Sequence, residues 1–237
     1  MQTDLTRRAA LRLVAVTAAG GMLMSRAAFA QQAGAGTTSL ITGADVCVIT
    51  PETTEGPYYF DPKLERSDIT EGTQKGAPTT VRLQVVDAAC KPIEGARVDI
   101  WHCNADGQYS GYPNQPGGVD ATGATFLRGT QFAGADGVVE FATIYPGWYP
   151  GRTTHIHFKV FLDQASVLVG QIFFPDDLSQ QIYQTVGPYL AHGADRAVMN
   201  TNDRIAIQAT QASVASVSPL GDEHYQAAMI IGVGAAG

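Results

Sequence analysis

Between Thr154 and Leu162 the chain alternates between two kinds of residue. Thr154, Ile156, Phe158, Val160 and Leu162 hold the even positions, and the odd ones begin with His155 and His157. A period of two is that of an extended strand, whose successive side chains point to opposite faces. One face is therefore apolar and suited to a core, and two imidazoles stand side by side on the other. The pattern recurs. Val81, Leu83 and Val85 alternate within 81–87, and Val98 and Ile100 oppose Trp101 within 96–103. Residues 138–143 follow an Asp136-Gly137 turn, and 167–174 and 225–233 are apolar runs of strand length. Only one stretch reads as helical: after Pro175-Asp176, Leu178, Ile182 and Val186 share a face. Gly and Pro make 38 of 237 residues, enough for many tight turns. These features predict a mainly β chain: a β-sandwich of two mixed sheets with long loops and one or two short helices.

The first thirty residues stand apart. Thr6-Arg7-Arg8 precedes an apolar run from Leu13 to Met24, and Ala28-Phe29-Ala30 follows. This order of basic, hydrophobic and small-residue regions is that of an export signal, and the arginine pair is twin-arginine-like. The run is shorter than the roughly 20 residues of a membrane span. The expected organisation is an export signal over 1–30, a flexible lead over 31–44 and one domain over 45–237, periplasmic or extracellular. The signal also hides charge. It holds four of the 15 basic and one of the 22 acidic side chains, so 11 face 21 in the remainder, a net charge near −10. An acidic body argues against nucleic acid or an anionic membrane as partner. In an exported protein, Cys47, Cys90 and Cys103 allow one disulfide, with Cys47–Cys90 the expected pair.

Two imidazoles on one strand face can supply two ligands to one metal. A 2-His-1-carboxylate site wants a nearby acid, but none follows His157 until Asp163. A three-histidine zinc site has only His102, His192 and His224 to draw on, none at a telling spacing. His102 is expected to be structural, and His192 and His224 to be solvated in loops. Tyrosines stand closer. Tyr145-Pro146-Gly147-Trp148-Tyr149 leads through Arg152 to His155, and Tyr109 follows the Trp101-His102 strand. Tyrosinate is a hard oxygen donor suited to a trivalent cation such as Fe(III).

Six segments in order resemble the intradiol ring-cleavage dioxygenases, the family of catechol and protocatechuate 3,4-dioxygenases. They are residues 50–59 (TPETTEGPYY), 98–102 (VDIWH), 106–110 (DGQYS), 126–129 (FLRG), 145–149 (YPGWY) and 155–158 (HIHF). The resemblance implies an Fe(III) cofactor held by Tyr109, Tyr149, His155 and His157, with Tyr149 and His155 axial, Tyr109 and His157 equatorial, and a solvent hydroxide as fifth ligand. It implies that a catechol binds as a chelating dianion and displaces Tyr149, which is then both ligand and internal base. Arg152 would stabilise negative charge, and Gln171 matches the substrate-side glutamine. Ring opening by O2 would give a cis,cis-muconate-type diacid. The implied partners are a catechol-type small molecule and O2, with a homo-oligomer left open.

The segment between Tyr149 and His155 is shorter than in familiar protocatechuate enzymes. The helical dimer domain of catechol 1,2-dioxygenases is not expected ahead of the first strand pair. Two other readings compete. One is a non-catalytic secreted β-sandwich binding module, suggested by the strand–turn–strand of residues 85–96. The other is a zinc hydrolase using His155, His157 and an acid such as Asp163.

Overall fold

The structure is a computed structural model that describes Leu40 and residues 48–234. The proposed export signal, the rest of the lead and Cys47 lie outside the described residues. Cys90 is disulfide-bonded and Cys103 is a buried free thiol.

Among the described residues, eight strands form two four-stranded sheets. They are β1 (Pro78–Val86), β2 (Arg97–Trp101), β3 (Arg128–Phe132), β4 (Val138–Ile144), β5 (His155–Leu162), β6 (Ala165–Phe173), β7 (Ser216–Gly221) and β8 (His224–Gly232). The first sheet has the order β4-β1-β8-β7 and is mixed, because β1 and β8 run parallel. The second, β3-β2-β5-β6, is antiparallel throughout, so only one of the two expected mixed sheets is mixed. The reason is connectivity. β5 and β6 are joined by the two-residue turn Asp163-Gln164, both at positive φ, which forces neighbours to run antiparallel. Three short α-helices follow β6, against an expectation of one or two: α1 (Asp176–Thr185), α2 (Gly187–Leu190) and α3 (Arg204–Ala209). None of the described helices is long and apolar enough to cross a membrane.

The alternating positions meet between the sheets. Val81, Leu83 and Val85 of β1, Phe141 of β4 and Ile231 of β8 join Ile100 of β2 and Ile156, Phe158 and Val160 of β5 in one buried cluster. Burying side chains of this size contributes about 1.5–3 kcal/mol each. Gly170 of β6 lies opposite Phe158 across the ladder, and a Cβ there would stand 2.3 Å from the Phe158 ring. Gly170→Ala should therefore cost about 1–3 kcal/mol by overpacking, read as a lower melting temperature. Gly170→Ala combined with Phe158→Leu should recover part of the loss, and an unchanged melting temperature for the single variant would show that the ring yields freely.

Candidate active site

The outer face of the second sheet carries the odd positions of β5. Register then decides what stands beside them, because residues paired across a ladder project to the same side. Trp101 of β2 pairs with His157, and Gln171 of β6 pairs with His157 from the other flank. The indole of Trp101 stacks on the His157 ring, with centroids 4.9 Å apart and planes 8° apart. Three strands thus set Trp101, His157 and Gln171 in one row.

Two long loops and one extended segment close over this row. The β2–β3 connection brings Tyr109, whose N–H donates to Gln115 Oε1 at 2.9 Å. The next residue, Ser110, is gripped by the buried Arg128, through Nε to Oγ at 2.8 Å and Nη2 to the carbonyl at 2.7 Å. The β4–β5 connection brings Tyr149 and Arg152. Residues 53–60 cross the face: Thr53 N–H donates to the Val169 carbonyl, Lys159 donates to Glu55, and the Thr54 carbonyl accepts from Gln171 Nε2. Tyr58 of this segment stacks on Tyr109 at 4.3 Å.

Four donor atoms converge. His155 Nε2 lies 3.3 Å from Tyr109 Oη, 3.2 Å from Tyr149 Oη and 3.2 Å from His157 Nε2. Arg152 Nη1 stands 3.4 Å from the same nitrogen. The tautomer of His155 is set by its other nitrogen, which donates to the Thr153 carbonyl at 2.7 Å and leaves Nε2 as a lone pair. His157 Nδ1 is buried without a partner. Burial pushes His155 down to about 3 and His157 well below the usual imidazole range, with the Arg152 charge lowering both further. Burial likewise raises Tyr109 far above an ordinary phenol and Tyr149 to about 12. In the metal-free fold all four donors are neutral.

This arrangement fits a metal ion and is awkward without one. If His157 carries its proton on Nδ1, that donor is orphaned and two Nε2 lone pairs face each other at 3.2 Å. If it carries the proton on Nε2, Nδ1 is an orphaned acceptor. A cation between the Nε2 atoms relieves the facing lone pairs. Ligands about 2.1 Å from a shared ion also lie about 3 Å from one another. Tyr109, Tyr149, His155 and His157 could therefore hold one ion. Among the described residues, no three of His, Cys, Asp and Glu gather to hold a metal, so the centre exists only when the tyrosines are counted.

The remaining candidates fall where their surroundings put them. Asp163 sits in the β5–β6 turn, six residues along from His157 and so about 20 Å away at strand rise. It lines a different cavity beside Arg97 and Phe132, and a zinc site of His155, His157 and Asp163 cannot form. His102 is a satisfied structural histidine, with Nδ1 2.8 Å from the Cys103 carbonyl and Nε2 2.7 Å from Thr143 Oγ1. His192 and His224 are not simply solvated. His192 Nε2 donates to the Trp148 carbonyl at 2.6 Å, and His224 opens β8 within 3.2 Å of Thr80 Oγ1. One neighbour of the site has no sequence signal: Asp203, whose Oδ2 accepts from Arg152 Nε at 2.8 Å from 51 residues away.

Fold and site together define a β-sandwich with a centre of two tyrosines and two histidines. A family model described as "Dioxygenase" matches residues 54–209. Among curated proteins, catechol 1,2-dioxygenase 1 of Acinetobacter lwoffii is 32% identical over 154 residues, covering 54% of this chain and 47% of that protein. The protocatechuate 3,4-dioxygenase beta chain of Burkholderia cepacia is 34% identical over 133 residues, covering 52% and 54%. The chain thus spans about half the length of these curated relatives. A solved structure, an intradiol ring-cleavage dioxygenase from Tetranychus urticae, superposes with a TM-score of 0.73 at 33% identity, over 79% of this chain and 95% of that one. The chain belongs to the intradiol ring-cleavage dioxygenase family.

Proposed function

We propose that the protein is an Fe(III)-dependent dioxygenase that opens a catechol-type ring between its two hydroxylated carbons with O2, giving a cis,cis-muconate-type diacid. The observation that carries this reading is the convergence of Tyr109, Tyr149 and His157 on His155 Nε2 within 3.3 Å. Two neutral imidazoles and two phenols that must lose protons on binding suit a hard trivalent ion. Held by these four residues, Fe(III) would supply a Lewis-acidic, redox-active centre for the oxidation of a catechol by O2.

The chain's own residues divide the remaining work. Tyr109 is buried at 1% exposure and pinned on both sides, so it stays in place. Tyr149 is half-buried in the middle of the β4–β5 connection and lines an open cavity of ≈ 250 Å³ with Arg152, Asp195 and Val198. It is the phenol with room to move aside, and its Oη accepts a catechol proton as it does so. Arg152 Nη1 stands 3.4 Å from His155 Nε2, beside the four donors, and would offset negative charge that develops on the ring. Gln171 Oε1, 2.6 Å from Arg152 Nη2, keeps that group on the substrate side. Trp101 and Tyr58 cover the donors with aromatic surface and exclude water.

Purified protein loaded with one Fe(III) per chain should be red-brown from tyrosinate charge transfer and should consume one O2 per catechol opened. A colourless protein that takes up no iron sinks the proposal. We also propose export, on Arg7-Arg8, the apolar run and Ala28-Phe29-Ala30. The mature protein recovered outside the cytoplasm should begin just after Ala30, and an intact Met1 on that protein would refute it.

A further inference from the structure

Behind Arg152, on the side away from the four donors, lies the carboxylate of Asp203. Its side chain is 1% exposed. Oδ2 accepts Arg152 Nε–H at 2.8 Å and the Thr153 N–H at 2.9 Å. Oδ1 accepts the N–H groups of Ile205 at 2.8 Å and Ala206 at 3.1 Å, capping α3. One buried carboxylate thus takes two hydrogen bonds from the loop before β5 and two from the first turn of a helix that follows β6 by some thirty residues.

The guanidinium is a rigid plane with its N–H groups in fixed directions. Nε is committed to Asp203 and Nη2 to Gln171, and these two bonds together with the side-chain stem fix the plane. The third nitrogen, Nη1, has no freedom left and stands 3.4 Å from His155 Nε2. Thr153 joins the same device from its other side. Its N–H is held by Asp203, and its carbonyl accepts the Nδ1–H that sets the tautomer of His155. Capping a six-residue helix needs only Oδ1, as serine caps show. The second oxygen is spent entirely on Arg152 and Thr153.

We propose that Asp203 is a positioning residue for ring cleavage: it fixes the plane of Arg152 and so aims Nη1 into the substrate site. The proposal rests on the reading of the site as an intradiol centre. An arginine free to swing would cost rate without costing fold, since displacing a catalytic group by about 1 Å can lower turnover about 100-fold.

The test uses Asp203→Asn and Asp203→Ser in the iron-loaded full chain. Both residues are good helix caps, but neither can take the paired hydrogen bonds of Oδ2 with a charge. The expected result is wild-type iron content and visible colour, with kcat/KM for catechol lowered about 100-fold, mostly in kcat. Arg152→Lys should fall comparably, and Asp203→Asn/Arg152→Lys no further than Arg152→Lys alone. Wild-type rates in Asp203→Asn, or losses that simply add in the double variant, would overturn the proposal. So would a loss matched by an equal loss of iron. An independent reading needs neither iron nor activity. In the metal-free wild type, the Arg152 Nε–Hε proton should exchange slowly with water in NMR spectra; fast exchange there refutes the anchor even if both variants fail to fold. If the wild type opens no catechol, the intradiol reading fails, while slow exchange would still show the carboxylate holding the arginine.

Discussion

Tyr109→Phe is expected to leave the metal-free fold intact and to remove the function of the iron-loaded protein. Tyr109 is packed on all sides. Tyr58 stacks on it at 4.3 Å, Tyr149 meets it edge-on at 5.8 Å, and its backbone N–H is held by Gln115. A phenylalanine keeps every one of these contacts. What it loses is one oxygen whose contact to His155 Nε2, at 3.3 Å, is long for a hydrogen bond. The cost to the metal-free fold should be about 1 kcal/mol or less, a shift of about 2–4 °C in melting temperature. The iron-loaded state is another matter, because in the proposed function that oxygen is the donor that stays through turnover. Losing partners one shell further from a metal already costs about 10–100-fold, so losing this ligand should cost about 100-fold or more in turnover. Most of the visible band should go with it. Tyr149→Phe is the useful contrast: it should keep the Tyr109 band and still turn over slowly, for want of the proton acceptor. A Tyr109→Phe protein with unchanged colour and one iron per chain would show that the ligands have been misassigned.

The two variants also expose what was legible in the sequence. His155 and His157 could be read from a period of two, because strand geometry alone puts them on one face. Tyr109 and Tyr149 sit in loops, where no period exists: nearness in sequence to the two strands drew notice to them, and the ordered segments of a family resemblance made them ligands. Trp101 beside His157 and Gln171 on its other flank depend on ladder register, which a single strand does not disclose. Asp203 could not be found at all: it is an ordinary cap residue until the fold brings it to Arg152.

The elements divide in the same way. β1, β2, β4, β5, β6 and β8 bury apolar residues in alternation, and each lies within three residues of its expected bounds. β3 escaped because its buried positions are polar: Arg128 reaches back to Ser110, and Thr130 Oγ1 donates to Asp99. β7 escaped because it is an exposed edge strand with a proline and no buried face. α3, six residues long, is defined by its cap more than by a stripe. What alternation cannot report is any element that serves the site instead of the core.

The second large effect is expected at a residue that supplies no donor atom, Gly107. Its φ is +76°, and a Cβ there would stand 2.3 Å from the Trp148 carbonyl oxygen and 3.2 Å from Tyr149 Cβ. The loop that carries Tyr109 and the loop that carries Tyr149 therefore touch backbone to backbone. Gly147 repeats the contact from the other side, where its N–H donates to the Asn104 carbonyl at 3.2 Å. The Trp148 carbonyl cannot retreat freely, since it also accepts from His192 at 2.6 Å. Gly107→Ala must then either push Trp148 and Tyr149 outwards or drag the Tyr109 turn back. The left-handed backbone adds about 1–2 kcal/mol of strain for a residue with a Cβ. Together these should cost about 3 kcal/mol, roughly 6–12 °C in melting temperature. The functional loss should be larger still, because both phenols lose their common setting: about 100-fold in turnover, with weakened iron retention. Gly95→Ala separates clash from strain. Gly95 has φ +75°, and nothing lies within 4 Å of a Cβ there. It should pay the strain alone and keep iron and colour. If Gly107→Ala behaves like Gly95→Ala, the two tyrosine loops are positioned independently and the interlock has no part in building the centre.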